Sequence, residues 1–287
     1  MKLYKYMSHR NGMKFLSNGL IRLTQSECLN DPFELRLTDH TSSKLDYSVT
    51  MTDGCKEIIH GSIGVTGVMS QLGVVSLTES KDNLLMWSHY ADSHKGIVIE
   101  FEINMSNPYD LFLLSGDTSI TSNATFDRVQ YKKTRWLDEQ RDTGYHDVLK
   151  HYILTKSDEW IYEKEHRFVL PFSFSSDILI SKEFFEENCS HLSDLLIESD
   201  DSAVKHLNLN SNEVIHEKVS FWINNDLMML RVRPSSVTGV YIGSNCCEAE
   251  FRNEIVENEY KFLNETNCSL YKCYPDKSRF ELNYRKF

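Results

Sequence analysis

Several features that would place this chain in a class at once are missing. Its 287 residues contain no apolar run near the length of a membrane span, and Met1–Tyr6 lacks the apolar stretch of a signal peptide. We therefore expect a cytoplasmic protein with no membrane partner. Positive charge is scarce: 31 Lys and Arg against 42 Asp and Glu give a net charge of −11. This acidity argues against a broad nucleic-acid footprint.

Familiar catalytic and metal motifs are also missing. The absence of Gly-x-Ser-x-Gly, of a glycine-rich phosphate loop and of Gly-x-Gly-x-x-Gly removes support for hydrolase, kinase and Rossmann activities. The seven cysteines are odd in number and form no Cys-x-x-Cys pair. They predict reduced, mostly buried thiols rather than a disulfide framework or a zinc site. The histidines and carboxylates lack a recognisable ligand spacing, so we expect no metal.

The composition is that of a globular protein, with 40% hydrophobic and 25% charged residues. Short strands alternate with isolated helices, which predicts one α+β domain over residues 1–287. Residues 173–212 are rich in Ser, Asp and Asn and suggest an insertion in that domain. Apolar spacing predicts strands at Leu3–Met7, Gly73–Thr78 and Gly96–Ile103 (the last half-buried), and helices at Asn83–Ala91, Thr134–Ser157 and Glu213–Leu230.

The segment Trp160–Leu170 carries the densest group of chemically active side chains. As a strand entered through two carboxylates, it would project Glu163, Glu165 and Arg167 to one face, because residues two apart share a face. The other face, with Phe168, would join the core. The carboxylates are then either an active-site pair or a solvated charged row worth about 1 kcal/mol or less per pair.

Two further patches each allow two interpretations. Met86–Tyr90 is either a helix that buries Trp87 in the core or one that presents Trp87, His89 or Tyr90 to a nucleotide. Asn30–Asp31–Pro32 is most simply a turn, because Asn and Asp bond their own backbone and Pro presets its dihedral angle. Glu34 follows this turn in a strand-like stretch, and its side chain is placed to approach the cleft in which a nucleotide would bind.

Four dense patches together resemble an uncharacterised bacterial family, a domain of unknown function that is often encoded near defence genes. The patches are Tyr4–Tyr6, Asn30–Glu34, Met86–Tyr90 and Tyr162–Arg167. The resemblance is expected to extend over most of the chain. It conveys no chemistry by itself.

The order of three segments is also similar to toxin-type ADP-ribosyltransferases. That family has a split, mostly antiparallel sheet with surrounding helices. Its first strand carries an Arg or His that holds NAD, a later strand a Ser-Thr-Ser-like element, and a third opens with Glu-x-Glu. Here Tyr4–Tyr6, Ser76–Thr78 and Glu163–Glu165 occupy these places in the same order. Lys5 departs from the pattern, since it stands where the family has Arg or His.

This second resemblance implies NAD as a substrate, no metal, and transfer of ADP-ribose to RNA, DNA or protein. It also implies a toxin or anti-phage effector that an antitoxin partner neutralises. Catalysis would use Glu165 as the principal group and Glu163 on the acceptor side, and NAD would contact Tyr4, Lys5, Tyr6, Ser76, Thr78, Trp87, Tyr90 and Arg167.

Two alternatives from other classes stay open at the level of sequence. The chain could be a metal-independent nuclease that holds a phosphate with Lys132, Arg135, His166 and Arg167. It could also be a non-catalytic module whose aromatic patches sense a ligand or bind a partner.

Overall fold

A computed structural model describes residues 1–50, 56–114, 124–135, 144–192, 196–197, 204–208 and 227–287. Strands and helices are numbered in chain order. The strands are β1 Lys2–Met7, β2 Leu20–Arg22, β3 Asp46–Thr50, β4 Lys56–His60, β5 Leu72–Thr78, β6 Ile97–Glu102, β7 Thr125–Arg128, β8 Gln130–Lys132, β9 Thr155–Ser157, β10 Glu165–Pro171, β11 Asp177–Ser181, β12 Leu196–Ile197, β13 Val204–Asn208, β14 Leu227–Arg231, β15 Val237–Ile242, β16 Ser269–Pro275 and β17 Leu282–Lys286. The helices are α1 His9–Asn18, α2 Asp39–Leu45, α3 Gly61–Met69, α4 Leu84–Tyr90, α5 Tyr145–Leu154, α6 Lys182–Leu192, α7 Glu248–Glu257 and α8 Lys261–Glu265.

The main sheet has eight strands in the order β17-β16-β15-β6-β1-β5-β10-β7. All neighbours are antiparallel except β15 and β16, which run parallel. A second, antiparallel sheet has the order β12-β13-β11-β14-β2. The predicted α+β class and the mostly antiparallel main sheet are therefore confirmed.

Two neighbouring strands inside the main sheet, β1 and β5, pair over a much shorter length than the strands beside them. Strand β1 pairs with β6 at six residues, and β5 pairs with β10 at seven. Between β1 and β5 the only register pair is Tyr4 with Thr78. The two halves of the sheet therefore diverge around this pair, which leaves room there for side chains from both strands.

The two faces of the central strands have different characters. Leu3, Leu77 and Phe168 point to one face and join the largest core cluster. Tyr4 and Glu165 lie on the opposite face, because side chains alternate along a strand. That opposite face carries Tyr4, Thr78 and Glu165 in one row, whereas Lys5 lies on the face of Leu3.

Strand β6 differs from its prediction as a half-buried strand. Val98 is fully buried and Glu100 is only 4% exposed, so both faces are covered. The reason is that side chains pack on both faces of the sheet at this strand: Ile99 joins the largest core cluster, and Val98 packs on the other face in a second cluster with Trp87. The buried Glu100 carboxylate is satisfied by the Lys2 Nζ at 2.7 Å and the Tyr241 hydroxyl at 2.8 Å.

Two predicted helices need correction. Within Thr134–Ser157 the helix covers only Tyr145–Leu154 and is followed by β9, while residues 136–143 lie outside the described ranges. Of the predicted helix Glu213–Leu230, residues 213–226 lie outside the described ranges. Leu227–Leu230 belongs to β14, whose pairing with β2 and β11 takes precedence over helical spacing.

The segment proposed as an insertion is only partly described. Within residues 173–212, β11 and β13 pair with each other, and β11 also pairs with β14. The described part therefore builds the second sheet. Burial is described for five of the cysteines: Cys273 is buried, whereas Cys28 and Cys247 are exposed, so the expectation of a buried thiol is wrong for Cys28 and Cys247. No helix in the described ranges is long and apolar enough to cross a membrane.

Candidate functional site

A cavity of about 220 Å³ opens where β1 and β5 diverge. It brings together most of the residues proposed from sequence, although these come from four separate parts of the chain. The predicted residues that line it are Tyr4, Lys5, Tyr6, Ser76, Thr78, Tyr90, Glu163 and Glu165. Other lining residues include Thr24, Cys28, Leu29, Asn30, Glu34, Leu77, Met86 and Lys156. Trp87 and Arg167 are not among them.

The two carboxylates do not lie in one strand, as the alternation had predicted. A short 3₁₀ helix, Asp158–Glu163, ends at Lys164, which has a left-handed backbone with φ of 44°. Strand β10 begins only at Glu165. The Thr78 hydroxyl donates a hydrogen bond to the Glu163 carbonyl at 2.5 Å and fixes this turn. Glu163 and Glu165 therefore reach the cavity from a turn and from a strand.

Glu165 belongs to a compact buried ion cluster. Arg167 donates to both of its carboxylate oxygens, from Nε at 2.8 Å and from Nη2 at 3.0 Å. The Lys156 ammonium lies 2.7 Å from Glu163, 3.0 Å from Glu34 and 3.5 Å from Glu165. All five side chains are buried. The interpretation of a solvated charged row is therefore wrong.

The cluster sets opposite ionisation tendencies on its carboxylates. Burial alone would raise the pKa of Glu165, but the Arg167 and Lys156 charges hold that pKa well below its ordinary value. For Glu34, burial outweighs the same two cations and raises the pKa. Burial opposes the charge of Lys156 as well, yet the three carboxylates around it raise its pKa. Glu165 is therefore held in its charged form at neutral pH.

Glu163 is fixed on the side of the cavity away from Arg167. Tyr90 donates its hydroxyl hydrogen to Glu163 Oε1 at 2.5 Å, and Lys156 occupies Oε2. Asn30 donates in turn to the Tyr90 hydroxyl oxygen. Burial and the nearby Glu163 raise the pKa of Tyr90, which keeps its hydroxyl neutral as a hydrogen-bond donor.

Strand β1 contributes side chains from both of its faces. The Lys5 ammonium donates to the Ser76 carbonyl at 2.9 Å, across the gap between β1 and β5. Burial lowers the pKa of Lys5, against the opposing effect of Glu165 and Glu163. From the other face, the Tyr6 hydroxyl donates to the Ser80 carbonyl at 2.9 Å. Lys5 thus lines the cavity with its side-chain nitrogen already bound to the backbone of β5.

Helix α4 buries one face in the core and lines the cavity with another. Trp87 is fully buried, donates to the Lys81 carbonyl at 2.7 Å and stacks on His94. Its predicted contact with a nucleotide is wrong, because it lies in the core behind Tyr6. Met86 and Tyr90, on another face of the same helix, line the cavity.

Arg167 also has a different role from the one predicted. It is 0% exposed, and its Nη1 donates to the Ile153 carbonyl at 2.7 Å. Its remaining donors are directed to Glu165 and Glu34. Arg167 therefore holds Glu165 in position and stabilises its ionised form, and it does not line the cavity.

Lys156 is the important residue that the sequence did not single out. The sequence predicts a helix over Thr134–Ser157 that includes Lys156. No pattern in the sequence around Lys156 predicts that its ammonium contacts carboxylates from other parts of the chain. The approach of Glu34 to the cleft is confirmed, although it comes from a turn and not from a strand-like stretch.

The groups proposed for a nuclease do not converge. Arg167 is buried beside Glu165, whereas His166 lies on the opposite face of β10 and contacts Glu79 at 2.9 Å. Lys132 and Arg135 line a different cavity. In the part of the chain that the structure describes, no group of three or more His, Cys, Asp or Glu is arranged to hold a metal ion.

Comparisons with known proteins found one similarity, to a protein family that matches part of the chain. Searches of curated proteins and of solved structures returned no significant match. Residues 86–168 match the model of a family described as Protein of unknown function (DUF2971). This range includes the Met86–Tyr90 and Tyr162–Arg167 motifs but leaves out Tyr4–Tyr6 and Asn30–Glu34, so it is shorter than the sequence resemblance predicted. Residues 86–168 are therefore similar to this family, which has no described function.

Proposed function

We propose that this protein binds NAD in the cavity between β1 and β5 and transfers ADP-ribose to a macromolecule. The observation that carries the proposal is a row of three residues across neighbouring strands. Tyr4 pairs in register with Thr78, and Thr78 pairs with Glu165. This row comes from the three segments that resemble the motifs of toxin-type ADP-ribosyltransferases, in the same chain order.

The chemistry requires a fixed negative charge beside the ribose. As the bond between ribose C1′ and the nicotinamide nitrogen breaks, its electrons pass to the nicotinamide and positive charge develops on the sugar. Glu165 stabilises that charge, as carboxylates do in glycoside cleavage. Arg167 and Lys156 keep Glu165 ionised and hold it in place. The acceptor then forms its bond to C1′, and Glu163 takes the proton that the acceptor loses.

The size and lining of the cavity fit one end of NAD. At about 220 Å³, it is smaller than most sites that enclose a complete ligand of this size. The nicotinamide and its ribose would enter, and the adenosine would lie outside. Tyr4, Tyr6 and Tyr90 supply aromatic surface for the flat nicotinamide ring.

The proposal extends to a biological role through the resemblance to families encoded near defence genes. The protein would act as a toxin or anti-phage effector. A neutralising partner would hold it inactive until it is needed.

The test uses labelled NAD, a cell lysate and a Glu165→Gln variant. We expect label transfer by the wild type and a loss of about 100-fold or more in the variant, the usual scale for removing a group that stabilises transition-state charge. The matched control is Glu248→Gln, which changes an ion-paired carboxylate on α7, remote from the cavity. It should retain transfer. Circular dichroism must confirm that Glu165→Gln is folded, and the absence of both label transfer and NAD consumption by the folded wild type would rule the proposal out.

A further inference from the structure

A second cavity of about 190 Å³ adjoins the first and shares the Glu34 and Lys156 side chains with it. Its other lining residues play no part in the proposed chemistry. They are Asp31, Phe33, Lys132, Lys133, Arg135, Tyr152, Thr155 and Ser157. Because the same ion pair borders both cavities, a molecule in the second would lie next to the reaction site.

Basic side chains line the second cavity, although the protein as a whole has a net negative charge. Lys132 and Lys133 are exposed, and neither forms an ion pair with any residue that the structure describes. The Arg135 guanidinium lies 5.0 Å from the centre of the Phe33 ring and donates to the Arg36 carbonyl at 2.7 Å. Free ammonium groups beside a cavity are suited to phosphate.

Two buried acceptor atoms of residues that line this cavity, Asp31 Oδ2 and Glu34 Oε2, have no donor among the residues that the structure describes. Asp31 is 4% exposed and Glu34 is 3% exposed. Glu34 Oε1 is already ion-paired with Lys156 and Arg167, each at 3.0 Å, so the acceptors left without a partner are Asp31 Oδ2 and Glu34 Oε2. A buried acceptor without a partner is unfavourable, so a ligand that brings N–H donors would be stabilised here.

Phe33 adds a stacking surface. It is 56% exposed, which is unusual for a phenylalanine, and it lines this cavity. Arg135 lies over one face of its ring and places a positive charge beside it. Exposed aromatic rings beside cations are the common platform on which single-stranded nucleic acids stack their bases.

We infer that the second cavity binds one nucleotide of a single-stranded nucleic acid. The base would stack on Phe33 and donate its amino hydrogens to Asp31 or Glu34, and its phosphate would contact Lys132 and Lys133. This inference rests on the proposed function in one respect: the bound nucleotide would be the acceptor of ADP-ribose. A duplex would not fit, since its bases are already stacked and paired.

Binding can be measured without NAD, by fluorescence anisotropy. The probes are labelled DNA and RNA strands of about 12 nucleotides, a length within known site sizes, and the matching duplex. We expect single strands to bind more tightly than the duplex. The double substitution Lys132→Ala/Lys133→Ala should weaken binding about tenfold and reduce the slope of log affinity against log salt by about 0.7, the value for losing one phosphate contact on a single strand. Phe33→Ala should also weaken binding about tenfold.

The matched control is Lys261→Ala/Lys286→Ala, which removes two exposed lysines on α8 and β17. It should bind as the wild type does. Equal binding by all variants, or no binding of single strands even at about 50 mM salt, would overturn the inference. Label transfer to protein in the lysate without oligonucleotide binding would overturn it and leave the proposed function standing. Oligonucleotide binding without NAD consumption would support the site and count against the proposed function.

Discussion

Lys156 is the single residue on which the charge balance of the site depends most. Its ammonium lies within 3.5 Å of three carboxylates, those of Glu34, Glu163 and Glu165. Arg167 contacts only two of these three. Without Lys156, Glu163 would lose its ion pair and the other two carboxylates would share one cation in a buried space. Such an uncompensated buried charge is strongly destabilising.

We therefore predict that Lys156→Met lowers the free energy of unfolding by about 3–5 kcal/mol at neutral pH. The difference from the wild type should narrow as the pH falls below about 4.3, the ordinary pKa of glutamate. In the wild type, the lowered pKa of Glu165 contributes stability above its unfolded value, and this contribution is lost as the pH falls through the folded value. In the variant, protonation relieves the repulsion among the carboxylates.

Urea denaturation at two pH values measures this effect. The control is Lys150→Met, which breaks an ion pair with Asp127 at 3.1 Å in which both side chains are about half exposed. Its cost should stay below about 1 kcal/mol. Equal losses in the two variants, or a loss that does not change with pH, would contradict the proposed role of Lys156.

For single residues, the sequence predicted which side chains line the cavity better than it predicted what each side chain does there. Tyr4, Thr78 and Glu165 line the cavity as expected, because polar and aromatic residues at strand ends have few structural explanations. Arg167 lies on the same face as Glu165, as the alternation predicts. Its guanidinium, however, forms ion pairs with the buried Glu165 and Glu34. The contacts of Lys156 join residues that are far apart in the chain, and no local pattern carries that information.

The element that separates the two carboxylates is the left-handed residue Lys164. With φ of 44° and ψ of 51°, it ends the 3₁₀ helix and starts β10. Its carbonyl accepts a hydrogen bond from the Glu79 backbone at 3.3 Å, which ties the turn to the end of β5. A β-branched residue avoids this conformation, whereas glycine adopts it readily.

We predict opposite effects for two substitutions at this turn. Lys164→Gly should leave stability unchanged or raise it by up to about 1 kcal/mol. Lys164→Val should lower stability by about 1–2 kcal/mol, because the left-handed conformation is costly for such a side chain. It should also reduce label transfer, since the turn sets the separation of Glu163 from Glu165. Thermal unfolding and the labelling assay measure both effects.

The same pair of substitutions at Lys286 provides the control. Lys286 is exposed in strand β17, where extended backbone favours valine and disfavours glycine. The order of stability should therefore be reversed, with Lys286→Val above Lys286→Gly. If the order at Lys164 is the same as at Lys286, the turn does not depend on its left-handed residue.

Sequence patterns predicted several regular elements, such as β1, β5 and α4, but they did not predict this turn. Helix α1 has the end residues typical of a helix: Ser8 caps it by accepting from the Asn11 amide, and Gly19 ends it with φ of 69°. Glu163–Glu165 alternates in the way a strand does, so the pattern alone favours a strand. The actual conformation depends on Thr78 and Glu79, which are about 85 residues away in the chain.

At the scale of the whole molecule, strand order creates the site. Strands β1, β5 and β10 are distant in sequence but adjacent in the main sheet, and the weak pairing of β1 with β5 opens the cavity. Periodicity indicates which residues are buried, but not which strands become neighbours. The parallel pair β15–β16 at the far side, for example, depends on α7 and α8 between the two strands.

If NAD binds in this cavity, three distant segments should respond together. We predict that saturating NAD slows amide hydrogen exchange in peptides covering β1, the end of β5 and the residues around Glu163 and Glu165. Strand β17, at the opposite edge of the sheet, should be unaffected and serves as the internal control. Strand β6, paired on both sides and buried on both faces, should exchange slowly with or without NAD, because its amides open only with the core. Mass spectrometry after timed exchange gives the result. Slower exchange confined to β15–β17 would place the ligand elsewhere, and slower exchange in only one of the three segments would contradict a single cavity built by all of them.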